Sequence, residues 1–284
     1  MGKSKISIAI PTRNRANFLK RSIECVLVQT YKDFELLIID NNSSDSTREV
    51  VKSFDDKRIN YIKNPKNIGI IGNWNQCIKY SKGEYLNIFH DDDIMYETFI
   101  EESVKVLDKY STVGFTFPLL KRVDVKRNFL NMWWEDYNKK KLLIKVIDYI
   151  LMTIEKERCI SLAPSMVFRK SIFERLGPFK QVYGFNTFDF NMWFKIAEKY
   201  DVYHINKILF EYTIHKNQMS QRHWRAPESP TGPIGMSIEI IDSIARLVDS
   251  SIVDKKKYRK LLSVKLLNLN MKLTRDITIV IKDL

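Results

Sequence analysis

The sequence predicts an α/β protein: a mostly parallel sheet with helices on both faces, then a C-terminal helical extension. Three observations carry that expectation. Strand-like and helix-like segments alternate through the first 120 residues, the pattern that builds parallel sheets with crossover helices. FELLIID, residues 34–40, is an almost unbroken apolar run, as a strand covered on both faces requires. Beyond RAPESPTGPIG (225–235), which is rich in Pro and Gly and reads as a linker, the remaining pattern is helical.

Each element follows from its residues. KISIAIP (5–11) is a strand, and a helix runs from about Ala16 to Thr30 with Leu19, Ile23, Val26, Leu27 and Thr30 on its core-facing stripe. FELLIID ends in NNSSDST, a turn and N-cap signal for the next helix. INYIKN (59–64) is a third strand, a helix runs from Gly69 to about Ser81, and Lys82-Gly83 turns the chain into the strand EYLNIFH (84–90). ETFIEESVKVLDKY (97–110) is a helix and VGFTFPLL (113–120) a strand. The next segment, KRVDVKRNFLNMWWEDYNKKK (121–141), is basic and aromatic without a clean period and reads as a long loop or lid. A helix to about Glu157, the strand PSMVFR (164–169), the turn LGPF (176–179) and the helix DFNMWFKIAEKY (189–200) complete the pattern. The expected boundaries are a domain over 1–224, with halves 1–120 and 121–224, and a linker with helical extension over 225–284.

Composition narrows the function classes. The 284 residues are 44% hydrophobic and 12% aromatic, the balance of a globular protein rather than a disordered one. No apolar run approaches the roughly 18 residues of a membrane span, and MGKSKISIAIPTRNR has no signal-peptide pattern. Cys25, Cys77 and Cys159 are odd in number and widely spaced, which fits buried thiols in a reducing cytosol. The net charge of +13 suits nucleic acid, anionic lipid, a phosphorylated small molecule, or simply a lysine-rich solvated surface. Nucleic acid is set aside, because no helix-turn-helix, zinc or RNA-recognition signature accompanies the charge.

Ligands of such sheets bind beyond the carboxyl ends of the strands. Those ends carry Pro11-Thr12-Arg13, Asp40-Asn41-Asn42 and Asp91-Asp92-Asp93. Three consecutive carboxylates repel one another and need compensation. A helix start explains one or two of them, but Met95 and Tyr96 stand where a capping box would have Glu. A hard divalent cation, magnesium or manganese, explains all three. EF-hand, dinucleotide and phosphate-loop spacings are absent. A phosphorylated ligand would therefore be held by metal and side chains.

Six stretches, ISIAIPTRNR, LLIIDNNSSDST, NIGIIGNWNQCIKYSKGEYLNIFHDDD, SMVFRKSIFERLGPF, FDFNMWF and FEYTIHKNQMS, occur in an order that resembles family 2 glycosyltransferases of the GT-A fold, over about residues 5–220. The resemblance implies a nucleotide-sugar donor, a UDP-sugar by expectation, a manganese or magnesium ion, and an inverting transfer to a glycan or lipid-linked acceptor in polysaccharide biosynthesis. Carried over by position, Pro11, Thr12 and Arg13 line the nucleotide pocket. Asp40 accepts a hydrogen bond from the nucleobase, or else caps the following helix. Asn67, Gly69 and Asn73 match donor-binding positions. In the DXD-like element His90 replaces the first acid, a departure from the pattern. Asp92 is assigned to the metal, Asp93 to its support, and Asp91 to the donor ribose or a metal-bound water. His215 is a candidate for metal or diphosphate.

The expected general base is Asp189. Phe188 stands where the family has Glu, so only the Asp of that pair is kept. From the residues alone, Asp189, Met192, Trp193 and Ile196 form one inward stripe, and helix capping is the other role open to the Asp. Met132, Trp133 and Trp134 form either an acceptor lid or a loop anchored by tryptophans. The tail's Lys255, Lys256, Lys257, Arg259, Lys260, Lys265, Lys272 and Arg275, set among leucines, suggest attachment to the inner face of an anionic membrane. Alternatively the tail helices pack on the catalytic domain or join a second copy into a homo-oligomer. The competing function is a non-catalytic nucleotide-sugar-binding relative, suggested by His90 and Phe188.

Overall fold

The computed structural model of the chain describes residues 4–133, 142–145, 148–156, 160–181, 188–216 and 218. The chain divides into two compact units. The larger comprises residues 1–146, 160–179 and 200–215, and the smaller 147–159, 180–199 and 216–284. The 224/225 boundary and the expected C-terminal helices lie outside the described residues, as do Trp134 and Cys159.

The larger unit is built on one sheet. Its first strands, β1 (Ile6–Thr12), β2 (Phe34–Asp40), β3 (Ile59–Lys63) and β4 (Tyr85–Ile88), lie in the order β3-β2-β1-β4, all parallel. The helices between them are α1 (Ala16–Leu27), α2 (Thr47–Lys52) and α3 (Gly69–Tyr80). Alternation decides the packing. Ile6, Ile8, Ile10, Phe34, Leu36 and Ile38 share one buried cluster with Leu19, Ile23 and Val26 of α1 and with Phe99, Ile100, Val104 and Leu107 of α4 (Phe99–Lys109). The alternate residues Ala9, Leu37 and Ile39 are also buried, and α3 lies against β1 and β2. That two-sided cover is what the apolar run 34–40 requires.

Beyond β4 the sheet becomes mixed. β9 (Val167–Arg169) runs antiparallel to both β4 and β6 (Val113–Asp124). β10 (Asp201–Ile214) then lies parallel to β6. β4, β6 and β10 therefore all end at the edge where β1 ends. The long β10 was not legible as one strand, because register shifts between Ile205 and Phe210 interrupt its pattern with exposed Asn206, Lys207 and Ile208.

Two other expectations change. The segment 121–141 begins as a hairpin rather than a loop: β6 continues to Asp124 and β7 (Phe129–Met132) returns along it. Asp124 closes the turn by accepting the backbone N–H groups of Lys126 and Asn128, each at 2.9 Å. The first helix stops at Leu27, so Thr30 leaves its stripe and its backbone N–H donates to the Glu97 carbonyl at 2.8 Å. Gln29 fixes that end by donating to the Tyr96 carbonyl at 2.9 Å and accepting the Ile100 N–H at 3.1 Å.

Gly83 illustrates how tightly the β4 entry is packed. A Cβ there would sit 2.5 Å from the Ser7 nitrogen and 2.7 Å from the Ile6 carbonyl carbon, both backbone atoms of β1. Gly83→Ala is therefore expected to destabilise the protein by about 3 kcal/mol through overpacking. Urea unfolding measures it, and a change under about 0.5 kcal/mol, the size of an ordinary surface substitution, would mean that β1 yields freely. Among the described residues no helix is long and apolar enough to cross a membrane. Cys25 and Cys77 are free thiols, and burial pushes the Cys25 thiol up to about 12.

Candidate active site

The carboxyl ends of β1 and β4 meet at the point where the strand order reverses, and the three acids gather there. They do not cap a helix. The short strand β5 (Ile94–Met95) follows them, and the residue flanking the start of α4 is Thr98. All three are buried. Asp91 accepts from Thr12 Oγ1 at 2.7 Å and from Arg15 Nη1 at 3.1 Å. Asp92 receives the same guanidinium nitrogen at 2.5 Å and pairs with His215 Nε2 at 2.9 Å. Asp93 Oδ1 accepts the Thr213 N–H at 2.9 Å, whereas its buried Oδ2 has no hydrogen-bond partner among the described residues, the nearest group being His90 Nδ1 at 3.7 Å. Behind them Ser22 Oγ donates to the Asp91 carbonyl at 2.8 Å, and Arg21 Nη2 to the Asp92 carbonyl at 2.9 Å.

That oxygen belongs to a group of side chains able to hold a cation. One ligand atom each from His90, Asp92 and Asp93 lies within 4.8 Å of the others, a set of hard oxygens and an imidazole that suits manganese or magnesium. His90 packs beside Trp74, with ring centres 5.6 Å apart. Desolvation pulls its pKa down to about 4, although 30% of the side chain still meets solvent, so the ring is neutral and able to ligate. His215 stacks on Phe18 and serves Asp92 as a hydrogen-bond partner, which fixes the orientation of that carboxylate.

The charges divide unequally. Burial, then the charge of Asp92, pushes Asp91 up to about 7 against Arg15 and Thr12. The same two causes raise Asp93 well above the usual range. For Asp92 burial acts upward too, but the bond from His215, with His90 and Arg15 alongside, brings it down to about 2. A carboxyl whose folded pKa is raised binds more protons folded than unfolded, so stability falls as pH rises between the two values. For Asp91 that window runs from 3.8 to about 7. The protein should thus lose thermal stability from pH 5 to pH 7.5 relative to Asp91→Asn. A melting-temperature series reads this, and identical pH slopes for the two proteins would refute it.

The β2 side is built from neutral amides. Asn41 Nδ2 donates to Asn67 Oδ1 at 2.8 Å and to the Gly69 carbonyl at 3.2 Å, while its Oδ1 accepts the Ile68 N–H at 2.9 Å. Asn64 Nδ2 bridges to Asn41 Oδ1 at 3.3 Å and Asn73 Oδ1 at 2.8 Å, and Asn73 ties back to the Ile39 carbonyl at 3.0 Å. Gly69 has φ +74°, the left-handed region open to glycine, at the start of α3. Asp40 is buried; Oδ1 accepts the Ser43 N–H at 2.8 Å and Oδ2 the Tyr61 hydroxyl. Its local bond holds the β2–α2 loop, while α2 itself begins at Thr47. The loop after β1 locks onto the same region, since Asn14 Oδ1 accepts the Ser44 N–H at 2.8 Å and Asp45 Oδ2 accepts the Ala16 N–H at 3.0 Å.

The structure thus brings Thr12, Asp91, Asp92, Asp93 and His215 together, and Asn67, Gly69 and Asn73 into one neighbouring network. Arg13 is exposed and Pro11 half-buried. The arginine on the acids is Arg15, two residues later. Sequence reading missed Arg15, Arg21, Ser22, Asn41 and Asn64; only the strand-end position of Asn41 marked it in advance. Asp189 belongs to the smaller unit, in the first turn of α7 (Phe188–Ala197), half-buried, with Oδ1 accepting the Phe190 N–H at 2.8 Å. Met192, Trp193 and Ile196 are buried.

Residues 7–177 match the family model described as Glycosyl transferase family 2. An uncharacterised glycosyltransferase of Rickettsia typhi is 30% identical over 216 residues, covering 75% of this chain and 65% of that protein. A UDP-Glc:alpha-D-GlcNAc-diphosphoundecaprenol beta-1,3-glucosyltransferase of Escherichia coli is 34% identical over 112 residues, 39% of this chain and 44% of that protein. The chain therefore spans less than two thirds of either relative. Among solved structures, S. aureus TarS 1–349 in complex with UDP-GlcNAc aligns with a TM-score of 0.69 at 16% identity, over 94% of this chain and 73% of that one; this is a likeness of fold, of the GT-A type. With well over half its length matched, and the carboxyl ends of β1 and β4 inside the match, the chain belongs to glycosyl transferase family 2.

Proposed function

We propose that the protein transfers a sugar from a nucleoside-diphosphate donor, a UDP-sugar, to a hydroxyl of a glycan or lipid-linked acceptor, with inversion and with a divalent cation. The observation that carries this reading is the buried trio Asp91–Asp93 at the β1/β4 crossover, with one carboxylate oxygen of Asp93 left unsatisfied. His90, Asp92 and Asp93 would hold the ion, and His215 would orient Asp92. Bound there, manganese or magnesium would neutralise the diphosphate of the donor. Asp40 and the asparagine network would receive the nucleoside, with Thr12 and Asp91 beside it. The acceptor oxygen attacks the anomeric carbon as its proton passes to Asp189, and the bond to the β-phosphate breaks with its electron pair leaving on the nucleoside diphosphate. The E. coli relative's undecaprenol-linked substrate supports a lipid-linked acceptor, and with it work at the inner face of an anionic membrane.

A thermal-shift screen of nucleotide sugars with and without manganese tests the donor, because a ligand of the folded state stabilises it by mass action. One UDP-sugar should stabilise the protein only with metal, and proton NMR of the product should show the opposite anomer. Selective donor binding without hydrolysis or transfer, on any lipid-linked acceptor, would instead favour the non-catalytic relative that His90 and Phe188 suggest.

A further inference from the structure

Among the described residues the exposed large apolar side chains are not evenly spread. Val28, Tyr80 and Ile208 stand singly, but Val125, Phe129 and Leu130, exposed by 52%, 59% and 48%, cluster on the β6–β7 hairpin. Residues 125–131 are exposed without a break. Isolated exposed apolar groups are ordinary, whereas a contiguous set on an edge strand invites association unless something covers it.

The hairpin holds these groups out rigidly. The Asp124 carboxylate accepts three hydrogen bonds, from the N–H groups of Lys126 and Asn128 at 2.9 Å and from the Asn128 side-chain amide at 2.8 Å. Arg127, with φ +66°, reaches back to Glu211 of β10 at 2.9 and 3.1 Å, and Tyr96 donates to the same carboxylate at 2.7 Å. Among the described residues the apolar tip is flanked by Lys121, Arg122, Lys126 and Arg127 against Asp124 and Glu211, a net positive balance. It also projects from a defined place. β6 and β10 run parallel with Asp124 level with Ile214, and His215, the next residue, pairs with Asp92. The tip therefore leaves the sheet at the end that carries the acidic trio.

We infer that this hairpin is a docking wedge for an anionic bilayer surface: Val125, Phe129 and Leu130 enter the interfacial layer, and Lys126 with its basic neighbours meets the lipid phosphates. Charge complementarity selects this occupant, because a neutral protein partner has no use for the surrounding cations. The inference deepens the reading of a membrane-side transferase and rests on it for the acceptor alone. It is separate from the basic tail beyond residue 225.

Vesicle co-sedimentation of the full chain tests it, with phosphatidylglycerol-containing and pure phosphatidylcholine vesicles and three variants. Phe129→Ser with Leu130→Ser should lower partitioning onto anionic vesicles about tenfold or more, because apolar insertion is lost. Lys126→Gln should lower it about fivefold on anionic vesicles and leave neutral ones unaffected. The tail variant Lys255→Gln, Lys256→Gln, Lys257→Gln should retain hairpin-dependent binding. Melting temperature and UDP-sugar binding in vesicle-free buffer should match wild type in the hairpin variants. Loss of binding in the tail variant alone, equal binding by wild type and the serine variant, or no wild-type binding overturns the wedge. So does a wild-type dimer, seen by sedimentation velocity, that the serine pair dissociates while vesicle binding is unchanged. Vesicle binding with these dependences but no response to any nucleotide sugar would sink the transferase reading and leave the wedge standing.

Discussion

Asp92→Asn is expected to lower manganese-dependent affinity for the UDP-sugar by about 100-fold or more while the protein stays folded. Removing only an outer-shell partner of a metal ligand costs about 10- to 100-fold in affinity or activity, and Asn would remove the charge from the proposed ligand itself. Asp92 is the acid of the three whose carboxyl is drawn down, to about 2, while burial raises the other two, so it is the most readily charged of the trio. Asn keeps the size and one acceptor oxygen. Arg15 retains Asp91 at 3.1 Å, which is why folding should survive. Asp91→Asn provides the contrast: Asp91 is taken up by Thr12 and Arg15 and lies outside the His90, Asp92, Asp93 cluster, so metal affinity should fall less. Calorimetry with and without manganese measures both. Wild-type metal dependence in Asp92→Asn would remove Asp92 from the ion.

Asp189→Asn is expected to cut turnover by about 100-fold or more with donor and metal affinity nearly unchanged, the usual range for losing a positioned base. Asp189 is the second residue of α7, after buried Phe188, and is half-buried itself. An acid there also meets the positive end of the helix, worth about 0.3–1 kcal/mol. Asn is a comparable helix-end residue, so the two roles separate cleanly. A base role predicts a large kinetic loss with a melting temperature within a few degrees of wild type. If turnover stays within a few-fold and only stability slips, Asp189 serves the helix and the base lies elsewhere. Steady-state kinetics beside thermal denaturation decides.

Local pattern reached some of these features and not others. FELLIID became β2 with its expected bounds, because burial on both faces makes the run apolar except at Glu35, which accepts the Ser7 hydroxyl, and at the terminal Asp40. The strand-end acids were visible for a related reason: three carboxylates after an apolar segment are conspicuous whatever the fold. Arg15 was not, since nothing in PTRNR tells which arginine turns toward an acid more than 70 residues away; the first helix turn after β1 decides it. β10 was hidden by its bulges, and the β6–β7 hairpin by charges that mask a two-residue alternation. The asparagine network was half legible. Asn67 and Asn73 stood out by position, while Asn41 and Asn64, which join them, matter only through pairing across the sheet.

The bond between the Thr213 N–H and Asp93 spans 120 residues of chain. On a ribosome adding about 5–20 residues per second, Asp93 is made roughly 6 to 24 seconds before its partner. During that interval Thr12, Arg15, Arg21 and Ser22 have already emerged, so Asp91 and the Asp92 carbonyl can find their donors at once. The Asp92 side chain still awaits His215, and Asp93 still awaits β10. Nascent chains stalled near residue 125 should consequently hold the β3-β2-β1-β4 half with its acidic end open to water. A truncated first half would be a poor stand-in for the whole protein, because β10, the last strand among the described residues, is the one that supplies the partner of Asp93.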